Sequence, residues 1–273
     1  PTEPFTAWAW SCVNAEGMPQ TLRRAMKFAF TPPGSPVTLD FPSDLLSKKV
    51  RAPIYKIEPA KLRPVFRASS RRIEKAAELL ANAKSPLIVV GSEVSRTKSE
   101  KAIVALAEKL SVPVCQGEAL YSDFPTHHPL YLGSYGRRMR FPKNMDLVIN
   151  LGSKDGSAAP KGGRLIHVSS DPDLIGNRNF TDLPILAHAD SFISDLSDAL
   201  DGVLTKDRMK RIGQERLEAI GSFKGQLQES REIALRANFD NTPIAWERVG
   251  FELEKALDGN AVIVPEIGSQ SGK

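Results

Sequence analysis

Short apolar runs alternate along this chain with stretches in which apolar residues recur every three or four positions. The first such stretch, 18–30, places Leu22, Ala25, Met26 and Ala29 at helical spacing and ends in the turn cluster 31–36. Residues 37–42 then read as a short strand stopped by Pro42. From residue 69, Ile73, Ala76, Ala77 and Leu80 form a helical stripe before the continuous apolar run 86–91. Thr97 and Glu100 stand at capping-box spacing ahead of Ile103, Leu106, Ala107 and Leu110. Strands are predicted over 112–115, 147–152, 165–168 and 185–188, with a helix over Ser191–Leu200. A charged helix is predicted over 206–235, with Met209, Ile212, Ile220, Phe223 and Leu227 on one side. The next helix starts at Asn241-Thr242-Pro243 and runs through Trp246, Val249, Leu253 and Leu257; after the turn 258–260 a strand covers 261–264.

Continuous apolar strands fit a parallel sheet covered on both faces, and alternation with helices fits an α/β fold. The expected fold class is a three-layer α/β central domain with a parallel sheet, flanked by partial α/β domains. Residues 69–202 form the central domain, after a basic linker over 48–68 and before a helical linker over 203–240. The helix–strand pairs in 1–47 and 241–273 are each too small to bury a core alone. No repeat recurs at a fixed period.

The 273 residues suffice for a core without disulfide or metal staples. An apolar share of 41% and a charged share of 25% exclude a disordered tail, a collagen-like repeat and a coiled coil. No apolar run approaches the roughly 20 residues that span a bilayer, and the N-terminus lacks a signal-peptide layout, so no membrane partner is expected. Two cysteines are too few for a disulfide scaffold and point to the reducing cytoplasm. The net charge of +5 is local: residues 1–75 hold 13 basic and 6 acidic side chains, the remainder 24 and 26. The basic excess falls among prolines in 48–75 with few aromatics and no nucleic-acid motif, so it reads as solvated linker.

Chemical candidates are sparse. Gly91, Gly152 and Gly268 each follow a β run, where glycine lets a phosphate approach the backbone or simply serves turn geometry. Neither Gly91 nor Gly152 opens a G-x-G-x-x-G motif. Asp171, after a strand and before Pro172, suits either a ribose-binding acid or a helix start. His127 and His128 are adjacent in a loop and lack flanking metal ligands. His167 and His188 lie in apolar strands and read as packed and hydrogen-bonded, and Cys115 as a buried, inert thiol. No G-x-S-x-G, P-loop lysine or H-E-x-x-H motif is present.

Four segments together resemble the thiamine-diphosphate-dependent enzymes of the acetolactate synthase, benzoylformate decarboxylase and oxalyl-CoA decarboxylase type. Pro33–Leu46 resembles the exit of that family's pyrimidine-binding domain. Ala76–Gly91 with Ala105–Val114 resembles the opening of its central domain, and Phe124–Gly133 the HP-x-x-x-G loop of that domain. Ala261–Gly268 resembles the first strand of its diphosphate-binding domain. The resemblance implies a segment of a longer decarboxylase or carboligase, benzoylformate decarboxylase-like or acetolactate synthase-like. Such an enzyme acts on a small 2-oxo acid with thiamine diphosphate and Mg²⁺, as a homodimer or homotetramer. The family's catalytic glutamate would precede Pro1 and its Mg²⁺-binding Asp and Asn would follow Lys273, so no catalytic or metal residue is assigned here. The terminal lysine would suit a trypsin-like cut.

Cofactor contacts implied by the resemblance are Glu266, Gly268, Ser269 and Gln270 towards the diphosphate. Gly91, Asp171 and Asp190 are implied towards a nucleotide in the central domain. That domain carries FAD or ADP in some relatives and is empty in others. Here Ser153-Lys154-Asp155-Gly156-Ser157 replaces an arginine-containing loop and 133–145 is short, which argues against FAD. A rival reading is a stand-alone, non-catalytic nucleotide-binding module.

Overall fold

The computed structural model describes residues 5–56, 58, 64–117, 120–136, 144–154, 161–259, 261 and 263. The chain divides into two compact units, Pro1–Gly213 and Gln214–Lys273.

The first unit opens with β1 (Trp8–Ser11), α1 (Met18–Phe30) and β2 (Val37–Asp40), the two strands pairing in parallel with Trp8 beside Val37. Helix α1 and β2 form as expected. Strand β1 lies outside the elements predicted from the sequence: its apolar run, Ala7–Trp10, is short and ends in the polar Ser11. The rings of Trp8 and Trp10 stack at 5.8 Å, Phe28 of α1 stacks on Trp8 at 5.3 Å, and Arg24 lies over the Trp8 ring. A short helix, α2 (Ser43–Leu46), follows.

The core lies in a six-stranded parallel sheet. Helix α3 (Ser70–Asn82) leads into β3 (Pro86–Val90); α4 (Glu93–Arg96) and α5 (Glu100–Lys109) precede β4 (Val114–Gln116) and β5 (Tyr131–Ser134). Then come β6 (Leu147–Leu151), β7 (Arg164–Ser169), β8 (Leu183–Leu186) and α6 (Ala189–Val203). The strand order is β5-β4-β3-β6-β7-β8, so the winding reverses direction between β3 and β6. All residues of β3 and β6 are buried, which is why β3 reads as an unbroken apolar run and β6 as one interrupted only by Asn150. Strand β5 falls in the segment read as a loop: it is an edge strand of four residues joined to β4 through an irregular register.

Helix α3 turns Ile73, Ala76, Ala77 and Leu80 inward and packs on α6, which contributes Phe192, Ile193, Leu196 and Leu200 to the core. Lys109 ties α5 to α6 by donating to the Ser197 carbonyl and hydroxyl, both at 2.9 Å, and to Asp201 at 2.7 Å. The basic segment before α3 is anchored rather than wholly solvated. Arg67 holds Asp195 of α6 through two nitrogens and the His188 amide donates to the Phe66 carbonyl at 3.0 Å; within the first turn of α3 itself, Arg72 donates to the Pro184 carbonyl.

Two helix starts differ from expectation. The capping box at Thr97 does not form. Helix α5 begins at Glu100, because the Thr97 hydroxyl donates to Glu93 O at 2.8 Å and Ser99 Oγ to Val94 O at 3.0 Å. Both hydroxyls therefore satisfy carbonyls of the preceding short helix α4. Asn241 does not open a helix either. Its backbone and side-chain N–H groups both turn back to Asn238, closing α7 (Lys206–Asn238), and α8 (Trp246–Ala256) starts only at Trp246. In the second unit Arg248 of α8 lies 4.5 Å over the Phe239 ring and donates to the Phe239 carbonyl at 3.0 Å. The strand expected over 261–264 falls largely outside the described residues.

His167 lies mid-strand in β7, 4% exposed, with Asn150 as its neighbour in register on β6. It is packed as expected, but its Nε2 lacks a hydrogen-bond partner among the described residues. Burial lowers its pKa, so the folded state holds it neutral while the unfolded chain takes up a proton on acidification. The stability contributed is complete above the ordinary imidazole value of about 6.5 and is lost as pH falls below it. Urea unfolding at pH 7.5 and pH 5.5 checks this: wild type loses stability between the two, and His167→Leu removes part of that loss.

Candidate functional site

In an open parallel sheet, ligands enter at the carboxyl ends of the strands where the winding reverses. Here that point lies between β3 and β6, which end in Gly91 and Gly152. The Gly91 amide donates to Leu151 O at 3.0 Å, and the Gly152 amide to Val168 O at 2.9 Å. After Gly152 the chain folds back over the end of β3, so a Cβ on Gly91 would stand 2.3 Å from Ser153 Cα and 2.4 Å from Gly152 O. Gly152 has φ +69°, in the left-handed region, and a Cβ there would meet Glu93 Cβ at 2.4 Å. The absence of side chains at both positions is set by the protein's own packing.

Asn150 holds this return in place. It is fully buried, its Oδ1 accepts from the Ser153 amide at 3.1 Å, and its Nδ2 donates to Ser153 O at 3.3 Å. The Ser153 hydroxyl is buried beside Gly117 at the end of β4 and has no hydrogen-bond partner among the described residues.

Glu93, at the start of α4, is 8% exposed. Its Oε1 accepts from Ser169 Oγ at 2.6 Å and its Oε2 from the Ser170 amide at 2.9 Å. A buried carboxylate requires such donors, and two short ones from the end of β7 meet that need. Ser169 Oγ in turn accepts from the Asp171 amide at 3.0 Å. A second buried carboxylate, Asp123, accepts from Gln116 Nε2 at 2.5 Å and from the Ser95 amide at 3.2 Å. The two carboxylates hold the loops after β7 and β4 to α4.

Asp171 accepts from the Asp173 amide at 3.0 Å, a local turn rather than a helix start. Asp190 lies exposed in the first turn of α6, accepts from the Ser191 amide, and adds to the field that raises the pKa of Arg67 behind its direct partner Asp195. Gly91, Asp171 and Asp190 are thus each engaged within their own neighbourhood. Glu266, Gly268, Ser269 and Gln270 lie outside the described residues.

Beside Glu93 a cleft of about 20 Å³ is lined by Pro32, Pro33, Arg96, Thr97, Ser170 and His188. It falls short of the roughly 300–1,000 Å³ usual for small-molecule sites. Arg96 closes one side by donating to Pro33 O at 3.0 Å. His128 is pinned, accepting from the Leu130 amide at 3.1 Å and lying 3.2 Å from Glu108. Burial pushes the Cys115 thiol up to about 12, which leaves no thiolate for nucleophilic work at neutral pH. No group of three or more His, Cys, Asp or Glu suited to a metal exists among the described residues.

Sequence reasoning missed Glu93, Asn150, Ser153 and Ser169. One signal was available: a fully polar Asn150 inside the apolar run 147–151 has to bond something local, and it bonds the turn that follows.

If packing alone requires Gly91, Gly91→Ala lowers stability by about 3 kcal/mol with no ligand present. Gly221→Ala, a helical site with open space around it, raises stability by roughly 0.5–1 kcal/mol. Chemical denaturation of the two variants checks the contrast.

Residues 73–196 match the family model described as "Thiamine pyrophosphate enzyme, central domain". A probable acetolactate synthase large subunit from Methanocaldococcus jannaschii is 27% identical over 97% of this chain and 47% of its own length. A glyoxylate carboligase from Escherichia coli O157:H7 is 27% identical over 97% of this chain and 46% of its own. The chain therefore spans about half the length of the curated relatives it matches. Among solved structures, the benzoylformate decarboxylase of Polynucleobacter necessarius superposes with a TM-score of 0.62 at 21% identity, over 73% of this chain and 39% of its own. The thiamine diphosphate-dependent 4-hydroxybenzoylformate decarboxylase of Rhodococcus jostii gives 0.56 at 27% identity, over 72% and 40%.

Proposed function

We propose that this chain is part of a thiamine-diphosphate-dependent decarboxylase or carboligase acting on a small 2-oxo acid, since residues 73–196 match the family model for the central domain of thiamine pyrophosphate enzymes. The observation that carries the reading is the family match across α3 to α6, supported by similarity that extends over nearly the whole chain to an acetolactate synthase and a glyoxylate carboligase. Bound thiamine diphosphate would supply the electron sink that decarboxylation of a 2-oxo acid needs. Mg²⁺ would accompany it. Glu266, Gly268, Ser269 and Gln270 are our candidates for contact with the diphosphate. Residues 1–47, 69–202 and 241–273 are read as parts of three successive α/β domains, the middle one complete.

Within this function the described residues act as scaffold. Asn150, Glu93 and Asp123 lock the loops at the carboxyl edge of the sheet, and Cys115 and His128 take no chemical part. The full-length enzyme is read as a cytoplasmic homodimer or homotetramer. No helix among the described residues is long and apolar enough to cross a membrane.

The assay is CO₂ release from pyruvate and from benzoylformate by the full-length enzyme of which this chain is read as a segment, with and without thiamine diphosphate and Mg²⁺; the 273-residue segment alone is expected to release none. The reading expects turnover of at least one substrate that depends on both additions. Turnover independent of thiamine diphosphate would contradict it. Cys115→Ala is expected to leave kcat within about twofold, since its thiol stays protonated.

A further inference from the structure

We infer that the crevice between β3 and β6 is a self-filled site, in which the Glu93 carboxylate takes the place of an anionic ligand and bars nucleotides from the central domain. A nucleotide phosphate in this type of sheet needs space above a strand-end glycine and free N–H donors facing it. Both are already used here. The space above Gly91 holds Ser153 and the carbonyl of Gly152, closer than any side chain could approach. The donors at the end of β7, Ser169 Oγ and the Ser170 amide, point at Glu93 at 2.6 and 2.9 Å. The Asp171 amide is taken by Ser169 Oγ, and Asn150 clamps the return loop from beneath. An entering phosphate would have to displace a buried carboxylate of the same sign and pull Ser153 off the end of β3. The residues present therefore do not fit FAD or ADP, and Gly91 and Asp171 serve packing and turn geometry in place of nucleotide binding. Glu93 differs from an ordinary buried acid in its position: its side chain lies over Gly152 at the end of β6, and its carboxylate takes the donors at the end of β7. The inference is independent of the proposed reaction, because it concerns binding and stability and needs no turnover.

Two measurements on the full chain test it. Isothermal titration with ADP and with FAD is expected to show no saturable binding to the wild type at millimolar nucleotide. Saturable binding of either would overturn the inference. Glu93→Ala leaves two buried donors facing a carboxylate-sized hole, so its Tm should fall by roughly 5 °C or more. Sodium acetate should raise the Tm of this variant relative to sodium chloride at equal ionic strength, and leave the wild type unmoved. A folded Glu93→Ala protein with unchanged Tm, or one that acetate does not rescue, would contradict the internal-anion role. If Glu93→Ala does not fold, Ser169→Ala substitutes for it: removing one donor to Glu93 should lower Tm by a few degrees, and an unchanged Tm would contradict the role.

Discussion

Between the ends of β3 and β6 two stretches of backbone pass so closely that no side chain fits between them. Gly91 lies under Ser153, and Gly152 under Glu93, at distances where a single added carbon would overlap its neighbour. That contact fixes the winding reversal of the sheet, because β3 and β6 are the pair from which strands spread in both directions. It also fixes the fate of every polar group nearby. Once Ser153 is folded back, Asn150 must face its backbone. Once α4 starts two residues after Gly91, Glu93 is carried inside and must find donors, which the end of β7 supplies.

The sheet itself was legible in the sequence for a simple reason. Strands buried on both faces cannot hide among polar residues, so 86–91, 147–152 and 165–168 announce themselves, and helices with one buried stripe do the same at a period of 3.6. What failed to show were elements made by context. Strand β1 exists because β2 lies beside it and Phe28 stacks on Trp8; β5 exists because β4 offers an edge. The capping box at Thr97 was a genuine local preference overridden by a second short helix whose carbonyls needed the same hydroxyls. At the candidate site, the glycines could be found from sequence and their partners could not. A strand-end glycine reports that something comes close, and only the fold says whether that something is a ligand or the chain itself.

This distinction bears on how the domain relates to the proteins it resembles. Residues 73–196 match the family model described as "Thiamine pyrophosphate enzyme, central domain", and the fold is shared with a solved benzoylformate decarboxylase. In the reading proposed here the chemistry is carried by segments on either side, and this domain contributes rigidity. Two buried carboxylates, a clamped asparagine and a lysine bridging α5 to α6 are costly features for an idle spacer, since each buried polar group must be matched. They make sense if the strand-end loops must hold one conformation without help from a bound nucleotide.

The central claim is that Glu93 and Ser169 form a real, buried, charge-assisted interaction that closes the crevice from within. A double-mutant cycle with Glu93→Ala and Ser169→Ala, read by urea unfolding of the full chain, tests it most directly. The account predicts a coupling of about 1.5–3 kcal/mol, the range for hydrogen bonds to charged groups. Additive effects of the two substitutions, with no coupling beyond error, would contradict it.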